Sequence, residues 1–134
     1  MNAPDRSPLA EKRTEAFDVF VFGSNRQGCH GAGAAKDAYE QFGAEWGKGE
    51  GHHGRSYAIP TRSFIRNELR SLALHEIEKH VQKFLYYARG HSGLIFLVTA
   101  LGTGHAGYKD EQIGPMFKGA PENCLLPRQW EKYR

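Results

Sequence analysis

The stretch FDVFVFGSNRQGCHGAGAA, Phe17–Ala35, decides the fold. In an extended chain Phe17, Val19 and Val21 face one side and Phe20 and Phe22 the other, so both faces are apolar. That pattern suits a strand covered on both sides, as the strands of parallel sheets are. Gly23 is expected to end the strand. Gly28, Gly31 and Gly33 then let the backbone bend sharply and present N–H groups with no Cβ in the way. Ala34, Ala35, Ala38, Tyr39 and Phe42 follow at helical spacing, giving a helix over Gly33–Phe42 that Gly43 stops. A strand, a glycine loop and a helix start in that order favour an anion at the loop.

The same device recurs further along. Leu94–Leu101, reading LIFLVTAL, is rich in branched residues, bounded by Gly93 and Gly102, and reads as a second buried strand. It runs into Gly102-Thr103-Gly104-His105-Ala106-Gly107-Tyr108, where Thr103 offers a hydroxyl and Tyr108 a ring able to cover a sugar or base. Two such loops suggest two backbone cradles closing on the two phosphates of one nucleotide. The plainer reading is that the glycines permit close packing of helix on strand and that Tyr108 belongs to the core. The dinucleotide fingerprint is only approximated, since Lys36 stands where its third glycine would be, and no Gly-Lys-Ser/Thr of a Walker A loop occurs.

Between the two units, WGKGEGHHGRS reads as an exposed connector leading to a short strand over Ser56–Pro60. Ile77, Val81, Phe84, Leu85 and Ala88 mark an amphipathic helix within Ser71–Arg89, and Gly90 ends it. Asp110 is placed to cap a helix through Phe117, and the segment NCLLP to form a last edge strand. This alternation predicts a single-domain three-layer α/β/α fold with a mixed, mostly parallel sheet and helices on both faces. In such sheets ligands bind outside the carboxyl ends of the strands, where both glycine loops lie.

The chain has 134 residues, enough for one domain, with 40% hydrophobic and 25% charged residues. Residues 1–16 are polar, contain Pro4 and Pro8, and are expected to form a flexible leader, with the folded domain over 17–134. A net charge of +3 falls short of the basic stripe of a nucleic-acid binder. Two cysteines, Cys29 and Cys124, form no CxxC pair and no disulfide framework. No apolar run approaches the ~20 residues of a membrane span and no signal-peptide core is seen, so a cytoplasmic location is expected.

In its motifs the chain resembles the macrodomain family, the ADP-ribose-binding α/β/α modules. The resemblance rests on Val21-Phe22-Gly23-Ser24-Asn25, His30-Gly31-Ala32-Gly33-Ala34-Ala35, Ser56-Tyr57-Ala58-Ile59-Pro60-Thr61 and Gly102-Thr103-Gly104-His105-Ala106-Gly107-Tyr108, in the family's order. It implies that Gly23, Ser24 and Asn25 open the site, with Asn25 facing the distal ribose. It further implies that Gly31, Ala32 and Gly33 line the diphosphate, that Gly102 and Thr103 to Gly107 close over it, and that Tyr108 lies beside the sugar. Two departures stand out. The family's upstream strand with a Gly-Asp-Ile segment, whose aspartate reads adenine, has no counterpart before Phe17, and Cys29 and His30 stand where the family generally has glycines.

The expected ligand is therefore ADP-ribose or a related nucleotide, free or carried on an ADP-ribosylated protein or nucleic acid, with no membrane partner. If the chain is an enzyme, the resemblance implies hydrolysis at the distal ribose, with Asn25 orienting the sugar and His30 or His105 as the base near neutral pH. Neither glycine loop carries a carboxylate. The rival readings are a module that senses or sequesters a nucleotide without turnover and a phosphoribohydrolase-type enzyme on a Rossmann-like sheet. A protein-interaction domain that has lost the ligand is a third. No cofactor is expected. Metal binding by Cys29, His30, His52 and His53 matches no recurrent zinc spacing, so no metal site is expected either.

Overall fold

A computed structural model of the chain describes residues 16–134. The leader expected over residues 1–16 lies, but for Ala16, outside the described residues. The first strand, β1, is Val19–Asn25, and the first helix, α1, is Gly33–Gln41. Then come β2 (Gly51–His53), β3 (Ser56–Ile65), β4 (Glu68–Ser71), α2 (Leu74–Arg89) and β5 (Phe96–Val98). A short helix α3 (Asp110–Ile113) continues as a 3-10 turn over Gly114–Phe117, before β6 (Cys124–Leu125) and a 3-10 segment over Arg128–Tyr133.

The strands form one mixed six-stranded sheet in the order β2-β3-β1-β5-β6, with β4 paired to β3. The β1/β3, β1/β5 and β5/β6 pairs are parallel; β2 and β4 run antiparallel to β3. The protein is thus α/β. Alternation along β1 divides its apolar side chains between two clusters, as a strand of period two requires. Val19 and Val21 join Ile77, Val81, Phe84, Leu85 and Ala88 of α2, while Phe20 and Phe22 join Ala38, Phe42 and Ala58. Phe84 has no exposed surface and lies edge-on to Tyr57 and Phe96, and burial of a side chain of that size stabilises by about 1.5–3 kcal/mol.

Five expectations need correction. Gly23 does not end β1: it pairs with Ile59 inside the ladder, and a Cβ there would stand 3.2 Å from Leu101 Cβ. Glycine is needed for a close approach rather than a turn. The third strand does not stop at Pro60 but runs to Ile65 and returns through Arg66 and Asn67, both at positive φ, into β4. Two central residues at positive φ make a type I′ hairpin, whose usual Asn-Gly signal is missing here. The connector holds an edge strand, β2, and buries Gly49. The strand expected over Leu94–Leu101 keeps its ladder only over Phe96–Val98; Thr99 N–H still donates to Val21 O at 3.0 Å, and Leu101 N–H then closes a three-residue turn on Thr99 O at 2.7 Å.

Asp110 is the first residue of α3 rather than its cap. Its Oδ1 accepts the indole N–H of the fully buried Trp130 at 2.7 Å, and the free Lys109 N–H is taken up by Gln112 Oε1 at 3.0 Å. The expected edge strand in NCLLP is present as β6.

Candidate functional site

Because β1 and β5 are adjacent and parallel, the loops that follow them leave the same edge of the sheet. Between these loops and the β3–β4 hairpin lies a cavity of about 670 Å³. Gly23, Ser24, Asn25, Cys29, Gly31, Ala32 and Gly33 form one wall; Thr99 to Gly102, Gly104, His105 and Ala106 form another. Thr61, Arg62, Phe64 and Leu69 come from the hairpin, and Trp46 from the connector.

The first loop is built by hydrogen bonds around Asn25, a largely buried residue. Its Nδ2 donates to Cys29 O and its Oδ1 accepts the Cys29 N–H, both at 2.9 Å. Gly28 N–H donates to Asn25 O at 2.9 Å, and Gly47 N–H to Gly28 O at 2.9 Å. The connector clamps this turn from behind: Ser24 Oγ donates to Gly49 O, and a Cβ on Gly28 (φ +73°) would stand 2.3 Å from Lys48 N. Gln27 fastens the other side, donating to Ser63 Oγ at 3.2 Å and accepting Phe64 N–H at 2.9 Å.

Gly31 and Gly33 behave differently from Gly28. A Cβ at either would meet no atom within 4 Å, so the main chain there is open toward the cavity. Gly33 sits at φ +59° and starts α1, whose Ala32 cap provides no side-chain bond to the helix. The first-turn N–H groups therefore have no side-chain partner at the cap, and Gly33, Ala34 and Ala35 line the cavity.

The second loop is anchored to the chain between β4 and α2. Ser71 Oγ donates to Ala106 O at 2.5 Å, and Tyr108 OH donates to Leu72 O at 2.6 Å. Tyr108 is half-buried against the larger core cluster and does not line the cavity, so its ring does not stand beside a sugar there. Thr103 and Gly107 are also outside the lining, the Thr103 hydroxyl being taken by Ala100 O at 2.6 Å. Of this loop's expected contacts, Gly102, Gly104, His105 and Ala106 reach the cavity.

The two histidines separate. His105 is exposed and lines the cavity. His30 is 1% exposed, lies edge-on to Phe22, and is not part of the lining. Its Nε2 lies 2.9 Å from Glu45 O, and a carbonyl can only accept, so Nε2 carries a proton, while Nδ1 has no hydrogen-bond partner among the described residues. A ring enclosed in this way cannot deliver a base to the cavity. His52 and His53 stand on β2, hydrogen-bonded to Tyr87 OH at 2.5 Å and to Glu50 O at 3.1 Å.

Several residues of this cavity went unassigned in the sequence, Arg62 and Thr99 among them. Arg62 and Thr99 both line it, and Arg62 Nε and Thr99 Oγ1 are buried polar atoms with no hydrogen-bond partner among the described residues. Arg62 faces Asn25 across the β1/β3 ladder, at the point where the register shifts after Ser24. Its only sequence signal was position: a basic residue just past the strand expected over Ser56–Pro60. Beside it, Arg26 pairs with Glu76 at 3.4 Å, so its charge is balanced, and the Arg62 guanidinium is in no ion pair among the described residues. Glu76 accepts the Ala73 N–H at 3.2 Å, which, with Arg26, lowers its pKa.

Comparison of the chain with protein-family models, with curated proteins and with solved structures returned no match. The chemistry of the cavity therefore rests on its own geometry. Its lining includes the Arg62 guanidinium and the Thr99 hydroxyl, each with a buried polar atom that has no hydrogen-bond partner among the described residues, together with the main chain of Gly31 and Gly33 and the uncapped start of α1, all groups able to donate to an anion. No Asp or Glu is among its lining residues. No helix among the described residues is long and apolar enough to cross a membrane.

Proposed function

We propose that this cavity binds a phosphate-bearing nucleotide of the ADP-ribose class, on a macrodomain-like three-layer α/β/α scaffold. The observation that carries the reading is that Arg62, whose guanidinium has no ion-pair partner among the described residues, lines the same cavity as Gly31 and Gly33, where a Cβ would meet no atom within 4 Å. A partly enclosed cation with no carboxylate partner is costly, and a phosphate satisfies it with two parallel hydrogen bonds that a lysine cannot copy. The helix start supplies further N–H donors to the same anion. The volume of about 670 Å³ lies within the range of cofactor-sized sites.

The lining favours binding over turnover. Among the described residues His105 is the one imidazole that lines it, and no Asp or Glu shares the lining to orient the ring or activate water. The reading is therefore of a module that holds the nucleotide, free or attached to a protein or nucleic acid, with hydrolysis at the distal ribose as the alternative.

Thermal-shift and calorimetric titration of the wild-type chain with ADP-ribose, AMP and NAD tests this directly. Ligand at 100 times its dissociation constant stabilises the fold by about 2.7 kcal/mol. Arg62→Ala should weaken ADP-ribose by at least ~10-fold, since a hydrogen bond to a charged group contributes about 1.5–3 kcal/mol, and Arg62→Lys should restore little of it. Absence of any shift with these nucleotides would reject the reading.

A further inference from the structure

We propose that Trp46 is the stacking platform for the nucleobase of the ligand, an assignment that rests on the reading of the cavity as a nucleotide site. Trp46 belongs to neither glycine loop; it stands in the connector between α1 and β2. The indole is 55% exposed yet lines the cavity that holds Arg62 and Thr99. Large apolar side chains exposed in one place mark binding surfaces when they gather. Here they do: Trp46 and Phe64 line the cavity and Tyr39 touches Trp46, leaving Ile65 and Tyr86 as the other large exposed apolar residues.

The indole is also held in place. His30 meets it edge-on with ring centroids 6.1 Å apart, and Tyr39 does so at 5.5 Å. His30 is fixed in turn by its bond to the carbonyl of Glu45, the residue before Trp46, and by its edge contact with Phe22 in the smaller core cluster. The buried histidine thus braces the rim of the cavity from behind. A rigid exposed aromatic ring loses little conformational freedom on binding, and any base offers it a π face. Phosphate donors in the wall and a braced indole at the same cavity match a ligand that carries both an anion and a flat ring. No aspartate of the kind that would read adenine by its edge lines the cavity, so the base is held by its face and base identity is weakly discriminated.

The chain has two tryptophans, and the second, Trp130, is fully buried, so exposed-indole emission reports Trp46. ADP-ribose, AMP and the base-free ribose 5-phosphate are titrated into wild type, Trp46→Phe and Trp46→Ala, following emission and binding heat. The expected result is quenching by ADP-ribose and AMP, a loss of at least ~10-fold for both in Trp46→Ala, near-complete rescue in Trp46→Phe, and little change for ribose 5-phosphate. Tight binding of ADP-ribose with unchanged affinity in Trp46→Ala would overturn the Trp46 assignment and leave the nucleotide reading standing. Equal losses for ribose 5-phosphate and the two nucleotides would also overturn it, showing that Trp46 shapes the phosphate loop. Failure of wild type to bind any of the nucleotides would overturn both.

Discussion

The Asn25 amide holds both main-chain polar groups of Cys29, donating to its carbonyl and accepting from its N–H at 2.9 Å each. The amide is thereby committed to the shape of the first glycine loop. Asn25→Ala should weaken AMP and ADP-ribose alike and lower stability by about 1–3 kcal/mol, because two partly buried main-chain groups lose their partner. Calorimetric titration with both ligands, with denaturant melts alongside, checks this. A loss confined to ADP-ribose would instead assign the amide to the distal ribose.

The glycines of the first loop separate into one packed against the connector, Gly28, and two with open space at the Cβ position, Gly31 and Gly33. Gly31→Val should leave the fold intact and abolish nucleotide binding, since the new side chain meets no protein atom within 4 Å and occupies the space an oxyanion needs. Gly28→Ala should unfold the loop, because it combines a φ of +73° with a Cβ 2.3 Å from Lys48 N. Circular dichroism and thermal melts on both variants distinguish them; a stable Gly28→Ala with normal affinity would contradict the clamp by the connector.

His30 and His105 should give opposite phenotypes. His30→Ala removes a buried ring and its bond to Glu45 O, so it should cost about 1–3 kcal/mol of stability. His105→Ala should leave stability within about 0.5 kcal/mol, as an exposed loop substitution does. With ADP-ribosylated protein, O-acetyl-ADP-ribose and NAD, mass spectrometry should find no multiple turnover in wild type. Turnover lost by ~10²–10⁴-fold in His105→Ala alone would make that ring a general base and replace the binding reading.

At high pH the protein should lose stability through Tyr57 and Cys124. Burial pushes the Tyr57 phenol from 10.0 up to about 12, with Glu50 and Tyr87 adding to the effect. Burial likewise pushes the Cys124 thiol from 9.0 up to about 12. Both groups are neutral in folded and unfolded chains well below pH 9, so their contribution is complete there. As pH rises from 9 toward 12 the unfolded chain ionises first, and the contribution is lost. Melting temperature followed across that window should fall, and Tyr57→Phe should flatten the part of the fall above pH 10. An unchanged slope in that variant would remove Tyr57 from the account.

What the sequence by itself determined was every feature with a local period. Apolar residues on both faces of Val19–Phe22 required a strand covered on two sides, and β1 lies between β3 and β5 with a cluster on each face. The spacing of Ile77, Val81, Phe84, Leu85 and Ala88 marked the buried face of α2, and the two glycine loops were placed at strand ends that adjoin. Only the tertiary structure decided which side chains meet. His30 and Tyr108 sit inside glycine-rich runs yet turn into the protein, because a buried ring beside Phe22 and a bond to Leu72 O outweigh the local chain direction. Arg62 and Trp46 carry no periodic signal; they reach the cavity because β3 continues into a hairpin that lacks Asn-Gly and because the connector folds back over Gly28. Those placements depend on pairings between residues far apart in the chain, and spacing within a short window holds no record of them.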